Sequence, residues 1–119
     1  MPTLKFIIDE LNRRLDPKPR IDPKIGFKSY DGNDYLEIVP KVKCKDGFEV
    51  SIQASHGHYC TPRDSVGPWS HVELGFPTKK VPSLKEYRDG PPPDTGTVFG
   101  FVPIEKVAAL IKRHGGFAA

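Results

Sequence analysis

The sequence predicts an α+β fold: an antiparallel β-sheet of about four strands, with an N-terminal and a C-terminal helix packed on one face. Three observations predict it. Apolar residues recur at helical spacing near both ends of the chain, where a period of 3.6 puts them on one stripe. In the middle they alternate at period two, as in a half-buried strand. An Asp-Gly pair joins two of the extended segments, a strong hairpin signal.

Taken in order, Thr3 is the expected N-cap of the first helix, whose stripe is Leu4, Ile7, Ile8, Leu11 and Leu15. Asp9 with Arg13 and Glu10 with Arg14 stand in the favourable i,i+4 order. Asp16-Pro17 stops the helix, because a residue before proline avoids the α region. Residues 16–34 read as an ordered connector with a short strand near 25–29. Residues 35–43 and 48–55 form the hairpin around Cys44-Lys45-Asp46-Gly47. In its second arm Phe48, Val50, Ile52 and Ala54 alternate with Glu49, Ser51, Gln53 and Ser55. Pro40 cannot donate to a ladder and places the first arm at an edge or a bulge.

Residues 56–69 read as a loop, followed by a strand over 70–76 with Val72, Leu74 and Phe76 on one face. The proline-rich stretch 77–93 holds one helical turn near 83–88, and 97–102 is the last strand. Pro103 opens the second helix, whose inner face is Ile104, Val107, Leu110 and Ile111 and which Gly115-Gly116 ends.

A length of 119 residues predicts one domain, residues 1–119. With 37% hydrophobic and 28% charged residues the composition is globular. Phe6-Ile7-Ile8 and Val107-Ala108-Ala109-Leu110-Ile111 are too short to span a bilayer, and the amino terminus has no signal-peptide pattern. A cytoplasmic protein without a membrane partner is expected. The formal net charge is +3, from 18 basic and 15 acidic residues. Those charges are spread over both halves, so no dense basic tract argues for nucleic acid. The two cysteines, Cys44 and Cys60, are expected as reduced, partly buried thiols.

The reactive side chains gather in the loop and just after it: His56, His58, Cys60, Arg63, Asp64, Trp69 and His71. His56, His58 and Cys60 alternate as metal ligands do on a strand, with Cys44 near the other end of the hairpin as a fourth candidate. Without a Cys-x-x-Cys knuckle, however, satisfied polar or core positions are the stronger reading, and no metal or cofactor is expected. Cys60 with His58 or His71 would be a minimal nucleophile and base. No phosphate loop, dinucleotide fingerprint, His-Glu-x-x-His or Gly-x-Ser-x-Gly accompanies them, so an enzyme is disfavoured. Anion recognition fits better. Arg63 offers a planar fork for phosphate or carboxylate. Tyr59 and Trp69 offer flat faces, and His58, Thr61 and His71 offer hydrogen bonds. By strand parity, with Ser70 on the face of Val72, the Trp69 indole is expected on the opposite, accessible face.

Val50-Ser51-Ile52-Gln53-Ala54-Ser55, His58-Tyr59-Cys60-Thr61-Pro62-Arg63, Gly67-Pro68-Trp69, Val72–Pro77, Val98–Pro103 and His114-Gly115-Gly116 resemble a widespread set of small phage-encoded proteins. The likeness covers about residues 50–116, and its His-Tyr-Cys-x-Pro-Arg core is distinctive. It implies a viral origin and the host cytoplasm as the place of action. Accessory phage proteins often inhibit host defence, some by sequestering nucleotide alarm signals. The expectation is therefore a non-enzymatic protein that binds a small anionic ligand, such as a cyclic nucleotide, at His58, Tyr59, Thr61, Arg63, Trp69 and His71. The alternatives are a protein-binding inhibitor of a host defence complex and a Cys60-dependent hydrolase. A homodimer is the base-rate oligomer.

Overall fold

In the computed structural model, residues 3–15, 39–55, 57–63 and 67–118 are described. The connector with its strand near 25–29 and residues 35–38 of the first hairpin arm lie outside the described residues, as do His56 and Asp64.

The element order is α1 (Leu4–Leu15), β1 (Val42–Lys43), β2 (Glu49–Gln53), β3 (His71–Gly75), β4 (Val98–Pro103) and α2 (Ile104–Arg113). Two 3-10 turns, Pro82–Tyr87 and Asp94–Gly96, precede β4. The strands form one antiparallel sheet in the order β1-β2-β3-β4. This is the predicted α+β architecture.

Local chemistry accounts for the element boundaries. The Thr3 hydroxyl accepts the Phe6 amide at 3.1 Å, satisfying a donor that the first helical turn leaves orphaned. Ile7, Leu11 and Leu15 are buried, whereas Leu4 is exposed because it precedes the part of α1 that meets the core. Asp9 pairs with Lys5 rather than Arg13, and Glu10 takes both Arg13 and Arg14.

The register pairs Val42 with Val50 and Lys43 with Glu49. Cys44 donates to the Phe48 carbonyl, and Gly47 takes the left-handed position of the three-residue loop at φ +95°. At the end of α2, Gly116 donates to Ile111 and Gly115 to Lys112. Those two bonds close a Schellman motif, with both glycines at positive φ. The residues beyond it cover the outer edge of β1. Lys45 donates to the Gly116 carbonyl, Ala118 donates to the Lys43 carbonyl, and Cys44 bridges Phe117. His114 completes the tie, stacked 4.0 Å from Phe48 with Nδ1 2.6 Å from Asp46 Oδ2.

One core joins Ile7, Leu11, Leu15, Phe48, Val50, Ile52, Val72, Leu74, Phe99, Val102, Val107, Leu110 and Ile111. The opposite face of the sheet carries Glu49 and Ser51 of β2, His71 and Glu73 of β3, and Val98 and Gly100 of β4.

Two further placements differ from the sequence expectation. Phe76 is 49% exposed: β3 ends at Gly75, and Phe76 turns the chain at φ +50°. Trp69 is 2% exposed and belongs to the core. It lies two residues before β3, so strand parity does not govern it. Its amide donates to Asn12 Oδ1 of α1 at 2.8 Å, and its ring lies against the backbone of Gly67.

Candidate functional site

The loop between β2 and β3 leaves the sheet after Gln53 and returns at Thr61. Thr61 takes a place beside β3, donating its amide to the His71 carbonyl at 3.0 Å and accepting the amides of Ser70 and His71. Between those points the chain folds over a buried knot. The Ser55 hydroxyl lies 2.6 Å from His58 Nδ1 and accepts the Gly57 amide. The Cys60 thiol donates to the Ser55 and Pro62 carbonyls. His58 is 7% exposed and Ser55 is fully buried, so these polar groups satisfy one another in the interior.

Tyr59 rides over the outer face of the sheet, where β3 and β4 are out of step. Val72 pairs with Val102 and Leu74 with Phe99, so Gly100 and Phe101 together stand opposite Glu73. This is a β-bulge. The bulge releases the Phe101 amide from the ladder, and it donates to the Tyr59 carbonyl at 3.0 Å. The Tyr59 amide donates to Glu73 Oε2 at 2.8 Å. A side chain at position 100 would come within 3.2 Å of Tyr59 Cβ, so glycine is what lets the loop lie this close.

The result is an exposed aromatic pair. Tyr59 is 41% and Phe101 46% exposed, with ring centroids 5.8 Å apart. The Arg63 guanidinium stands 5.4 Å from the Tyr59 centroid, within cation–π reach, and makes no ion pair among the described residues. On the other side a cleft of about 360 Å³ is lined by Tyr59, Glu86, Tyr87, Asp89, Gly100 and Phe101. Burial pushes the Glu73 carboxyl above the usual carboxylate range and Asp89 adds to the rise, while the Tyr59 amide and Arg63 oppose it.

Of the six residues singled out from sequence, Tyr59 and Arg63 form the exposed surface. Thr61 and His71 are joined through their backbones, with His71 Nδ1 2.8 Å from Ser70 Oγ. His58 and Trp69 face inward, so the indole offers no exposed stacking face. Both cysteines are buried and neither forms a disulfide, and burial together with Asp46 raises Cys44 to about 11. Among the described residues no group of three His, Cys, Asp or Glu gathers to hold a metal ion, and no helix is long and apolar enough to cross a membrane.

Sequence reasoning missed Glu73, Tyr87, Asp89, Gly100 and Phe101. One signal was present. Gly100 sits inside a strand pattern, and an isolated glycine there marks a bulge or a close backbone approach. Comparisons with protein-family models, curated proteins and solved structures return no match.

Proposed function

We propose that this protein is a non-enzymatic binding module that docks a partner protein through the surface around Tyr59 and Phe101. The observation that carries this reading is Phe101 itself. It is held at φ +52° with its ring in solvent, a conformation that costs an ordinary residue roughly 1–2 kcal/mol. Burial does not repay that strain, and strained residues of this kind cluster at binding sites. Around it lie Arg63 on one side and Glu73, Glu86 and Asp89 on the other. With Lys106 on Glu86, a small anion would still meet the Glu73 and Asp89 carboxylates beside Arg63, whereas a protein surface can match both signs. The resemblance to small phage-encoded proteins supports a host defence component as the partner.

A second reading keeps the small anionic ligand, such as a nucleotide stacked on Tyr59 with its phosphate on Arg63. The Arg63 fork beside the Tyr59 ring, without an ion pair among the described residues, favours it.

Phe101→Gly separates binding from folding. Glycine accepts the left-handed conformation, so stability is expected to hold or to rise by up to about 1 kcal/mol, while binding is lost. The check is affinity capture from a bacterial host lysate with wild-type and Phe101→Gly bait, each captured protein then purified and titrated. Identical captured sets, with no heat from nucleotides, would sink the binding-module reading. Nucleotide binding abolished by Arg63→Ala would put the second reading in its place.

A further inference from the structure

The cleft beside the β4 bulge combines two recognition chemistries. Tyr59, Tyr87 and Phe101 contribute aromatic rings, and Glu86 and Asp89 contribute carboxylates. Aromatic faces and carboxylates both attract cations. The chain's own cations already mark its two rims. Arg63 stands 5.4 Å from the Tyr59 centroid. Lys106 Nζ stands 5.4 Å from the Tyr87 centroid and 3.3 Å from Glu86 Oε1.

Between those rims one charge is left over. The Asp89 amide donates to the Val98 carbonyl at 2.9 Å, which anchors the residue against β4. Its carboxylate has no ion pair or hydrogen-bond partner among the described residues. Glu73 of β3 adds negative charge nearby, since Asp89 is close enough to contribute to the rise of its carboxyl. At about 360 Å³, the open cleft lies at the small end of ligand sites, which suits one side chain better than a whole cofactor.

We propose that this cleft receives an arginine or lysine side chain of the protein partner, set between the Tyr59, Tyr87 and Phe101 rings with its charge on Asp89. The inference rests on the protein-docking reading and names the chemistry that the partner must present. Lys106 holds Glu86 at the rim, and the incoming cation supplies the counter-charge that Asp89 lacks among the described residues. An apolar neighbour of that cation would cover the exposed edge of Phe101.

The test is titration of the 15N-labelled protein with three blocked tripeptides, Ac-Ala-Arg-Ala-NH2, its citrulline counterpart and its glutamate counterpart. The arginine peptide is expected to shift the Asp89, Gly100 and Phe101 amides saturably. The uncharged citrulline peptide should bind about fivefold more weakly, and Asp89→Asn should weaken the arginine peptide by a similar factor. Retained amide dispersion shows that the variant folds, and Glu86→Gln provides a second, milder probe. Equal binding of arginine and citrulline peptides, preference for the glutamate peptide, or no shift at about 20 mM peptide would each overturn the inference. The two readings fail differently. A partner whose capture depends on Phe101 but not on Asp89 removes the cation site alone. Arginine-peptide binding without any Phe101-dependent partner removes the docking reading and leaves the site.

Discussion

Trp69 is held from two directions, its amide by Asn12 and its ring by the backbone of Gly67. A methyl at Gly67 would lie 2.6 Å from the indole Cζ3, too close without displacing one of the two. Gly67→Ala should therefore cost about 1–3 kcal/mol as an overpacking change. The free protein's fluorescence should be blue-shifted and resistant to iodide, since this is the only tryptophan. Red-shifted, readily quenched emission would return the indole to the surface and make it available for stacking. The contrast with Phe101 is physical. Trp69 gives up solvent for a packed site, and Phe101 accepts backbone strain to stay in solvent. Neither outcome follows from residue type, because each is decided by a partner far along the chain.

At the level of elements, the loop between β2 and β3 is secured at separate points. Thr61 pairs with His71, Tyr59 is bonded to Glu73 and Phe101, and Asn12 of α1 receives the Trp69 amide. Asn12 is the longest-range of these ties. Its loss leaves a part-buried backbone donor unsatisfied, which costs about 1–3 kcal/mol. Asn12→Ala should lower the urea midpoint accordingly with an unchanged denaturant slope. No shift would mean that water replaces the bond without loss. The 77–97 excursion has its own anchor. Asp94 accepts the Val81 amide at 2.9 Å and pairs with Arg88 at 3.0 Å, while Arg88 also donates to the Gly90 carbonyl. That anchor sets the stretch bearing Tyr87 and Asp89 against β4, where the Arg88 and Phe99 backbones bridge.

For the whole molecule, the carboxylates set the response to acid. Hydrogen bonds from Arg13 and then Arg14 hold Glu10 at about 2, below its ordinary 4.5. The Phe48 amide and then His114 lower Asp46, and the Val81 amide and then Arg88 lower Asp94. Each depressed group contributes stability above its ordinary range, and that contribution is lost as pH falls through the folded value. Glu73 runs the other way: its raised carboxyl contributes below the ordinary 4.5 and loses that contribution as pH rises through its folded value. With three groups against one, the melting temperature should fall between about pH 4.5 and about pH 2. Thermal melts across that window check it, and Glu10→Gln should flatten the low end. A melting temperature that rises on acidification would show that Glu73 dominates.

What the sequence by itself determined is what short-range chemistry controls. The Thr3 cap, the α1 and α2 stripes, the Asp46-Gly47 turn and the Gly115-Gly116 stop each depend on residues within a few positions, and all are present in the fold. The α+β class follows from those elements, since one apolar sheet face and two apolar helix stripes bury each other. For the candidate site, Tyr59 and Arg63 were legible as an aromatic and a cation in one loop. Their surroundings were not. Glu73, Gly100 and Phe101 join them only because β3 and β4 slip by one residue, and Asp89 arrives through the anchored 77–97 excursion. Trp69 was misplaced because period-two reasoning stops where the strand stops. Those contacts were decided by the tertiary structure, because a hydrogen bond between residues 14, 42 or 57 positions apart leaves no periodic trace in the chain.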